Sequence, residues 1–378
     1  MTDLVVISLE PWDEVWRRNQ HLVAGLLRSG EVRRALFVEP PVDVLHDLRS
    51  RRRPTSTGMR RVDLEGAEGR LWALRPQKTL PRRIDPAGDR RRARTVVRTA
   101  QRLDLIDPVL WVNDPGGWEV LAESGWPALY DITDDWLVAD RPEPELARLR
   151  RQETSLFADC REVVVCSEGL VRTKSQHRDV VLIPNAVDVE PYRSRQSRPA
   201  DLGEGPVALY LGTAHRDRVD VDLLVLTALH LGRAVGGTVV LVGPAPLPRD
   251  DLTRLQAAGV RVLGPRPSST VPAYLQHADV LIVPHVLTKF TASLDPIKAY
   301  EYRAAGRPVV ATKVPGFVDS PDPHVRAVDA TDFPEAAVEA CVQAHPWAAD
   351  IPPDLPTWRD RVDQMAAVIN RVEGEGPP

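Results

Sequence analysis

The stretch Leu294-Asp-Pro-Ile-Lys-Ala-Tyr-Glu-Tyr-Arg-Ala-Ala-Gly-Arg-Pro-Val-Val-Ala-Thr312 decides how the rest of this chain is read. Pro296 suits the first turn of a helix, where its missing N–H has no partner to lose. Asp295 before it is a good N-cap. The helical run continues to Gly306, which can take the left-handed C-terminal position. Pro308 prevents continuation, and Val309-Val310-Ala311 reads as a buried strand. Lys298 and Glu301 are three apart, so both project from one helix face near its N-terminus. That end carries free N–H groups and partial positive charge, which suits an anion. A cation and a carboxylate together suit a nucleotide, with Lys298 on phosphate and Glu301 accepting from ribose hydroxyls. The spacing alone also fits a surface ion pair on an ordinary βα unit.

Glu301-Tyr-Arg-Ala-Ala-Gly-Arg-Pro-Val-Val310 resembles the donor-site motif of GT-B glycosyltransferases, especially their family-4-like branch. In that branch a Glu just before Ala-x-Gly-x-Pro-Val binds the nucleotide ribose, and Glu301 occupies the matching position. The family pattern usually has a second Glu eight positions earlier. Here Ser293 stands there, and Thr291-Ala-Ser-Leu-Asp-Pro replaces the Glu-Gly-Phe-Gly segment. The resemblance implies nucleotide binding at Lys298 and Glu301 and places donor-sugar contacts at Ser293, Leu294 and Asp295.

At 378 residues the chain is long enough for two ordinary domains. Apolar residues at 43% can build real cores, and charged residues at 27% are normal for a soluble protein. A net charge of −4 gives no overall basic excess, so nucleic acid is not an expected partner. Three scattered cysteines, Cys160, Cys166 and Cys341, do not make a disulfide framework or zinc site, and a reducing cytoplasm is the simplest compartment. No signal-peptide pattern opens the chain, and no apolar run approaches the ~18–20 residues of a membrane span.

From the start, Leu4-Val-Val-Ile-Ser-Leu9 reads as a parallel strand covered on both faces. Val15, Trp16, Leu22, Val23, Leu26 and Leu27 then recur at helical spacing up to Gly30, and Ala35-Leu-Phe-Val38 is the next strand, giving a right-handed βαβ unit. Its first loop puts Trp12, Asp13, Arg17, Arg18, Gln20 and His21 at or near the C-terminal end of strand one, where open α/β sheets bind ligands. Trp-Asp-x-Val-Trp-x-Arg-x-Gln-His-Leu resembles the opening of a bacterial glycosyltransferase subgroup of surface polymers and natural products. A core Trp with solvated charges is the structural alternative. No Gly-x-Gly-x-x-Gly supports a dehydrogenase-type dinucleotide site. Residues 49–53 and 82–94 are basic and interrupted by Pro or Gly, which predicts a flexible loop in each. Both suit an anionic acceptor or peripheral membrane contact, or simply a solvated face. Asn113 and Asp114 follow one strand, and Asp131, Asp134 and Asp135 follow or end another, as rim carboxylates and amides for an acceptor, or as caps and turn formers.

Val180-Val-Leu-Ile-Pro-Asn-Ala-Val-Asp188 resembles the Ile-Pro-Asn-Gly-Val-Asp that closes the first domain in family-4-like enzymes, and residues 193–205 make a linker. Val207-Ala-Leu-Tyr-Leu-Gly-Thr213 opens a second α/β domain. Gly212 and Thr213 lie at its rim, where family members pass close to phosphate, and where many then carry Arg and Lys for the diphosphate this chain offers His215, Arg216 and Arg218, without a fixed register. Residues 358–372 form a last amphipathic helix, which in the family crosses back onto the first domain.

The expected fold is α/β, with two doubly wound Rossmann-like domains facing across a cleft: 1–190 for the acceptor, 206–345 for the nucleotide sugar, and helix 356–373 crossing back. The implied function is retaining, metal-independent transfer of a sugar from a nucleotide donor to a small natural product or surface-glycan precursor. Asp13 and His21 are the candidate catalytic groups, His21 titrating near neutral pH if unperturbed. Trp12, Arg18, Asn113 and Asp131 are placed on the acceptor side. No cofactor and no metal is expected, and the oligomeric state stays open. A nucleotide-sugar 2-epimerase and a degenerate GT-B scaffold share the same pattern. Donor turnover with and without acceptor separates the three.

Overall fold

The computed structural model describes residues 1–43, 57–78, 80, 82, 84–343 and 351–374. The chain forms two compact units, one of Met1–Leu137, Arg141–Pro184 and Trp358–Pro378, the other of Val138–Asp140 and Asn185–Thr357.

The first unit contains β1 (Thr2–Ile7), β2 (Val32–Val38), β3 (Val42–Asp43), β4 (Gly58–Arg61), β5 (Leu71–Arg75), β6 (Gln77–Lys78), β7 (Val109–Val112), β8 (Ala128–Ile132), β9 (Glu162–Val165) and β10 (Val181–Leu182). Eight of them make one sheet in the order β10-β9-β8-β7-β1-β2-β5-β4, parallel except for the β4–β5 edge pair. Every residue of β1, β7 and β8 is buried, as expected of central strands covered by helices on both faces. The strand order reverses direction between β1 and β7, which makes their C-terminal ends the topological switch point of the unit.

Helix α1 (Arg18–Ser29) follows β1. Gln20 Oε1 accepts from the Arg17 N–H at 3.0 Å, satisfying a donor at the helix start, and Gly30 ends the helix at φ +82°. Helix α2 (Gly88–Arg102) corrects the expectation of a flexible loop over 82–94 for its second half, 88–94. Ala93, Val96 and Ala100 recur three and four apart and bury one stripe, so the arginines line its outer faces. The basic stretch 49–53 lies outside the described residues. Helices α3 (Trp118–Ser124), α4 (Glu143–Asp159) and α5 (Glu168–Lys174) complete the run before the second unit.

The second unit carries β11 (Val207–Leu211), β12 (Thr238–Val242), β13 (Arg261–Gly264), β14 (Val280–Val283), β15 (Val309–Thr312) and β16 (Val325–Val328) in one parallel sheet, ordered β13-β12-β11-β14-β15-β16. Its helices are α6 (Val221–Val235), α7 (Arg249–Ala257), α8 (Val271–His277), α9 (Ile297–Ala305) and α10 (Phe333–Val342). Separate apolar clusters fill the two faces of this sheet, with Tyr302 and Leu281 in one and Tyr210 and Ile282 in the other. The switch point here is β11/β14. Helix α11 (Trp358–Gly374) belongs to the first unit and packs on α1. A Cβ on Gly25 of α1 would stand 2.2 Å from Val362 Cγ2, so a side chain there would push α11 off. Among the described residues no helix is long and apolar enough to cross a membrane.

Candidate functional site

The second unit's switch point gathers the chemistry. β11 ends into Gly212, whose φ of +117° suits only glycine. Gly243 follows β12 at φ +133°, and a Cβ there would lie 2.4 Å from the Gly212 carbonyl oxygen. The two turns therefore press backbone against backbone. Gly243→Ala is expected to destabilise the protein by about 1–3 kcal/mol, through the strained φ and the displaced turn. Thermal unfolding checks this, and an unchanged Tm would contradict it.

Helix α9 points its first turn at the same rim. Pro296, not Asp295, is its cap residue, with Ile297 first in the helix. This corrects the sequence expectation by one position. The Asp295 carboxylate is engaged elsewhere: Oδ2 accepts from the Asn185 N–H at 2.5 Å and Oδ1 from the Tyr300 hydroxyl at 2.8 Å. The Asn185 side chain donates to the Asp295 carbonyl, also at 2.5 Å. Asn185 thus anchors the helix entry, a role the sequence did not signal. Ser293 is buried and donates to the Phe290 carbonyl at 2.7 Å, and Leu294 is buried. The side chains of Ser293 and Asp295 are therefore hydrogen-bonded within the fold and that of Leu294 is buried, and their place on the donor sugar stays a proposal.

Lys298 lies in the first turn of α9. Its Nζ is 3.8 Å from the centre of the Tyr210 ring and 3.4 Å from His285 Nε2, and a Cβ on Gly212 would sit 3.4 Å from it. Among the described residues it forms no ion pair. Burial, with the nearby Arg218 charge adding to it, pushes the amine well below its ordinary range. Glu301, one turn on, makes no hydrogen bond or ion pair among the described residues. Burial raises its carboxyl to about 7, against the opposing pull of Lys298. The neighbouring Tyr302 hydroxyl accepts from the Leu211 N–H at 2.9 Å, which locks α9 to the end of β11. A cation without a carboxylate and a carboxylate without a donor, side by side at a helix N-terminus, form a site whose partners are absent from the fold itself.

Arg218 lies over the Phe290 ring at 5.7 Å and its charge reaches both Lys298 and His285. Arg216 turns the other way: its exposed guanidinium is held by both Asp251 oxygens, at 2.6 and 2.9 Å. Its assignment to the diphosphate stays a proposal, one that would require it to leave Asp251. The Thr213 carbonyl accepts from the Tyr210 hydroxyl at 3.2 Å.

In the first unit the expected acceptor residues are mostly engaged with other side chains of the unit. Trp12 is buried against Phe37 at 5.0 Å and Trp16 at 6.0 Å, and its N–H donates to Glu39. Arg18 and Asp131 are buried in each other's ion pair, with two contacts of 3.2 Å, and the Trp111 indole also donates to Asp131. His21 stacks on Trp358 at 4.5 Å, and burial with Arg28 nearby depresses its pKa to about 3. It stays neutral through the physiological range, so the condition of an unperturbed ring, on which titration near neutral pH rested, is not met. Asp13 is exposed and accepts from the Val15 N–H at 2.9 Å, as a local cap. Asn113 does reach the β1/β7 switch point. Its Oδ1 accepts from Asn19 Nδ2 at 2.9 Å, while Asn19 Oδ1 is buried without a partner. His285 and Asn19 are the site residues that motif reading passed over. Their one legible signal was position, His285 just past a strand end and Asn19 on the first helix after β1.

Among the described residues no group of three or more His, Cys, Asp or Glu is placed to hold a metal ion.

These features define a class. The chain has the GT-B fold of two Rossmann-like units, and residues 205–345 match the family described as glycosyl transferases group 1. Among curated proteins it is similar to TuaH of Bacillus subtilis (strain 168), named for glycosyl transfer in teichuronic acid biosynthesis. The two are 24% identical over 249 residues, which span 61% of this chain and 62% of TuaH. Among solved structures, an E. coli trehalose-6-phosphate protein bound with UDP-2-fluoro glucose superposes at a TM-score of 0.61, with 12% identity and full coverage of both chains. Anabaena HepE in complex with UDP-glucose gives 0.61 at 15% identity, covering 98% of this chain and 100% of that one. A TarM variant of S. aureus in complex with UDP, fondaparinux and α-GlcNAc-glycerol gives 0.60 at 9%, covering 100% and 97%.

Proposed function

We propose that this protein transfers a sugar from a UDP-sugar to a hydroxyl of a surface-glycan precursor, with retention at the anomeric carbon and without a metal. The observation that carries the reading is the pairing of Lys298, which has no carboxylate partner, with Glu301, which has no donor, at the N-terminus of α9. Lys298, Arg218 and the free amides of the first helical turn supply the positive charge that a leaving nucleoside diphosphate needs. Glu301 accepts from the ribose hydroxyls. UDP or UDP-sugar in three structural neighbours supports the donor, and the naming of TuaH supports the acceptor class. Retention needs no side-chain base to activate the acceptor. That fits a His21 closed off against Trp358. In the first unit the partnerless Asn19 Oδ1 beside Asn113 and Ser8 is the group best placed to accept from an acceptor hydroxyl.

The test is thermal unfolding against UDP-, GDP- and ADP-sugars, followed by product analysis. A bound donor at 100 times its Kd is expected to add about 2.7 kcal/mol. Product with the donor's anomeric configuration, formed equally with and without EDTA, is the expected outcome. Activity that vanishes on chelation and returns with magnesium or manganese would overturn the leaving-group account.

A further inference from the structure

We propose that His285 is a positioning residue that holds Lys298 at the phosphate rim through a neutral contact and so leaves its charge free for the donor. This rests on the donor site described above. Three observations carry it. His285 Nε2 lies 3.4 Å from Lys298 Nζ and 3.3 Å from the Tyr210 hydroxyl, and the ring is buried. The Tyr210 hydroxyl gives its one proton to the Thr213 carbonyl, so with the imidazole proton on Nδ1 the Nε2 lone pair is left to accept from the lysine. The His285 backbone is itself fixed. Its N–H donates to Thr312 Oγ1 at 3.2 Å, Thr312 Oγ1 donates back to its carbonyl at 2.8 Å, and the Val286 N–H donates to the Arg218 carbonyl at 2.8 Å.

The choice of partner matters chemically. A carboxylate at this place would fix the lysine equally well, but it would neutralise the ammonium and compete with phosphate. Neutral holders, the imidazole on one side and the Tyr210 face on the other, set direction without cancelling charge. The charged groups that act on the imidazole are Lys298 from α9 and Arg218 from the loop after β11, and both oppose its protonation. Glu301 acts on Lys298 from one turn along α9 and favours the ammonium.

Calorimetric titration of UDP and of uridine into wild type, His285→Asn, His285→Leu and His285→Asp tests this. His285→Asn keeps a neutral acceptor and is expected to bind UDP within about threefold of wild type. His285→Leu, which removes the acceptor, is expected to weaken UDP roughly tenfold, and His285→Asp, which creates the competing ion pair, by more. Uridine affinity stays level in all three, because the nucleoside does not need Lys298. A proton-linkage readout separates positioning from simple disturbance. As pH is raised toward the ordinary lysine range, UDP binding should take up more proton in wild type than in His285→Asp, since burial depresses the lysine and the new carboxylate already offsets that. Wild-type-like UDP binding and proton uptake in His285→Leu would overturn the proposal while leaving the donor site standing. Equal loss of UDP and uridine in folded variants would overturn it as well. Failure of wild type itself to bind UDP would remove both readings.

Discussion

Lys298→Met is expected to lower kcat/KM by roughly 10²–10³, the scale of losing one donor that stabilises charge developing in the transition state, about 2.7–4 kcal/mol. It is also expected to raise the melting temperature of the unliganded protein. The reason is the same in both cases. The folded chain buries the amine and keeps it near Arg218, and burial first, then that charge, hold its pKa well below 10.5 against the smaller opposing pull of Glu301. Below that value the unfolded chain binds this proton more readily than the folded one, and the difference disfavours the fold. The stabilisation by Lys298→Met should therefore be largest at neutral and acidic pH and shrink as pH rises toward the ordinary lysine value. Nucleoside diphosphate supplies the missing counter-charge, so ligand should stabilise wild type far more than the variant. A folded Lys298→Met with unchanged UDP affinity and unchanged rate would remove the lysine from the site.

Glu301→Gln is expected to act in two opposite directions. A carboxyl raised from 4.5 to about 7 holds its proton more tightly in the folded state than in the unfolded one. The stability linked to that proton is present below pH 4.5 and is lost as pH rises through 7. The gap corresponds to at most about 3 kcal/mol. The unliganded variant should match wild type near pH 4.5 and exceed it progressively up to pH 8. With UDP the order reverses, because the ribose hydroxyls lose a charged acceptor worth roughly 1.5–3 kcal/mol. Melting curves at pH 5 and pH 8, with and without UDP, check both parts. A stability difference that does not change with pH would contradict the burial account of Glu301, and equal UDP stabilisation of the two proteins would contradict its ribose role.

Much of the geometry of the proposed nucleotide end is legible in the amino-acid sequence, because it follows from local rules. Lys298 and Glu301 share a face because residues three apart must do so on a helix. Gly306 closes that helix at φ +61°, the conformation that a glycine before Arg-Pro invites. Gly212 reads from its place after a buried strand, and its φ of +117° agrees. The acceptor end is less legible. Trp12, Arg18, His21 and Asp131 sit at the strand ends where ligands bind, but nothing local says whether a side chain turns outward or into its own unit. Asp131 turns in because Arg18 and Trp111, 113 and 20 residues away along the chain, both donate to it. His21 turns in because Trp358, from the far end of the chain, stacks on it.

The boundary between what sequence determines here and what the tertiary structure decides follows the range of the forces involved. Strand and helix identity, the parallel α/β class and the helix-borne pair Lys298 and Glu301 come from periodicity and caps, which act over a few residues. Side-chain protonation and partnership depend on what lies across the sheet. The low pKa of Lys298, the raised pKa of Glu301 and the closed ring of His21 come from burial and neighbours supplied by other elements. His285 gained its place beside Lys298 only when β14 and α9 met at the same rim, since 13 residues and a loop separate them in the chain. Desolvation and long-range contact have no signature in residue spacing, so only the folded chain could assign them.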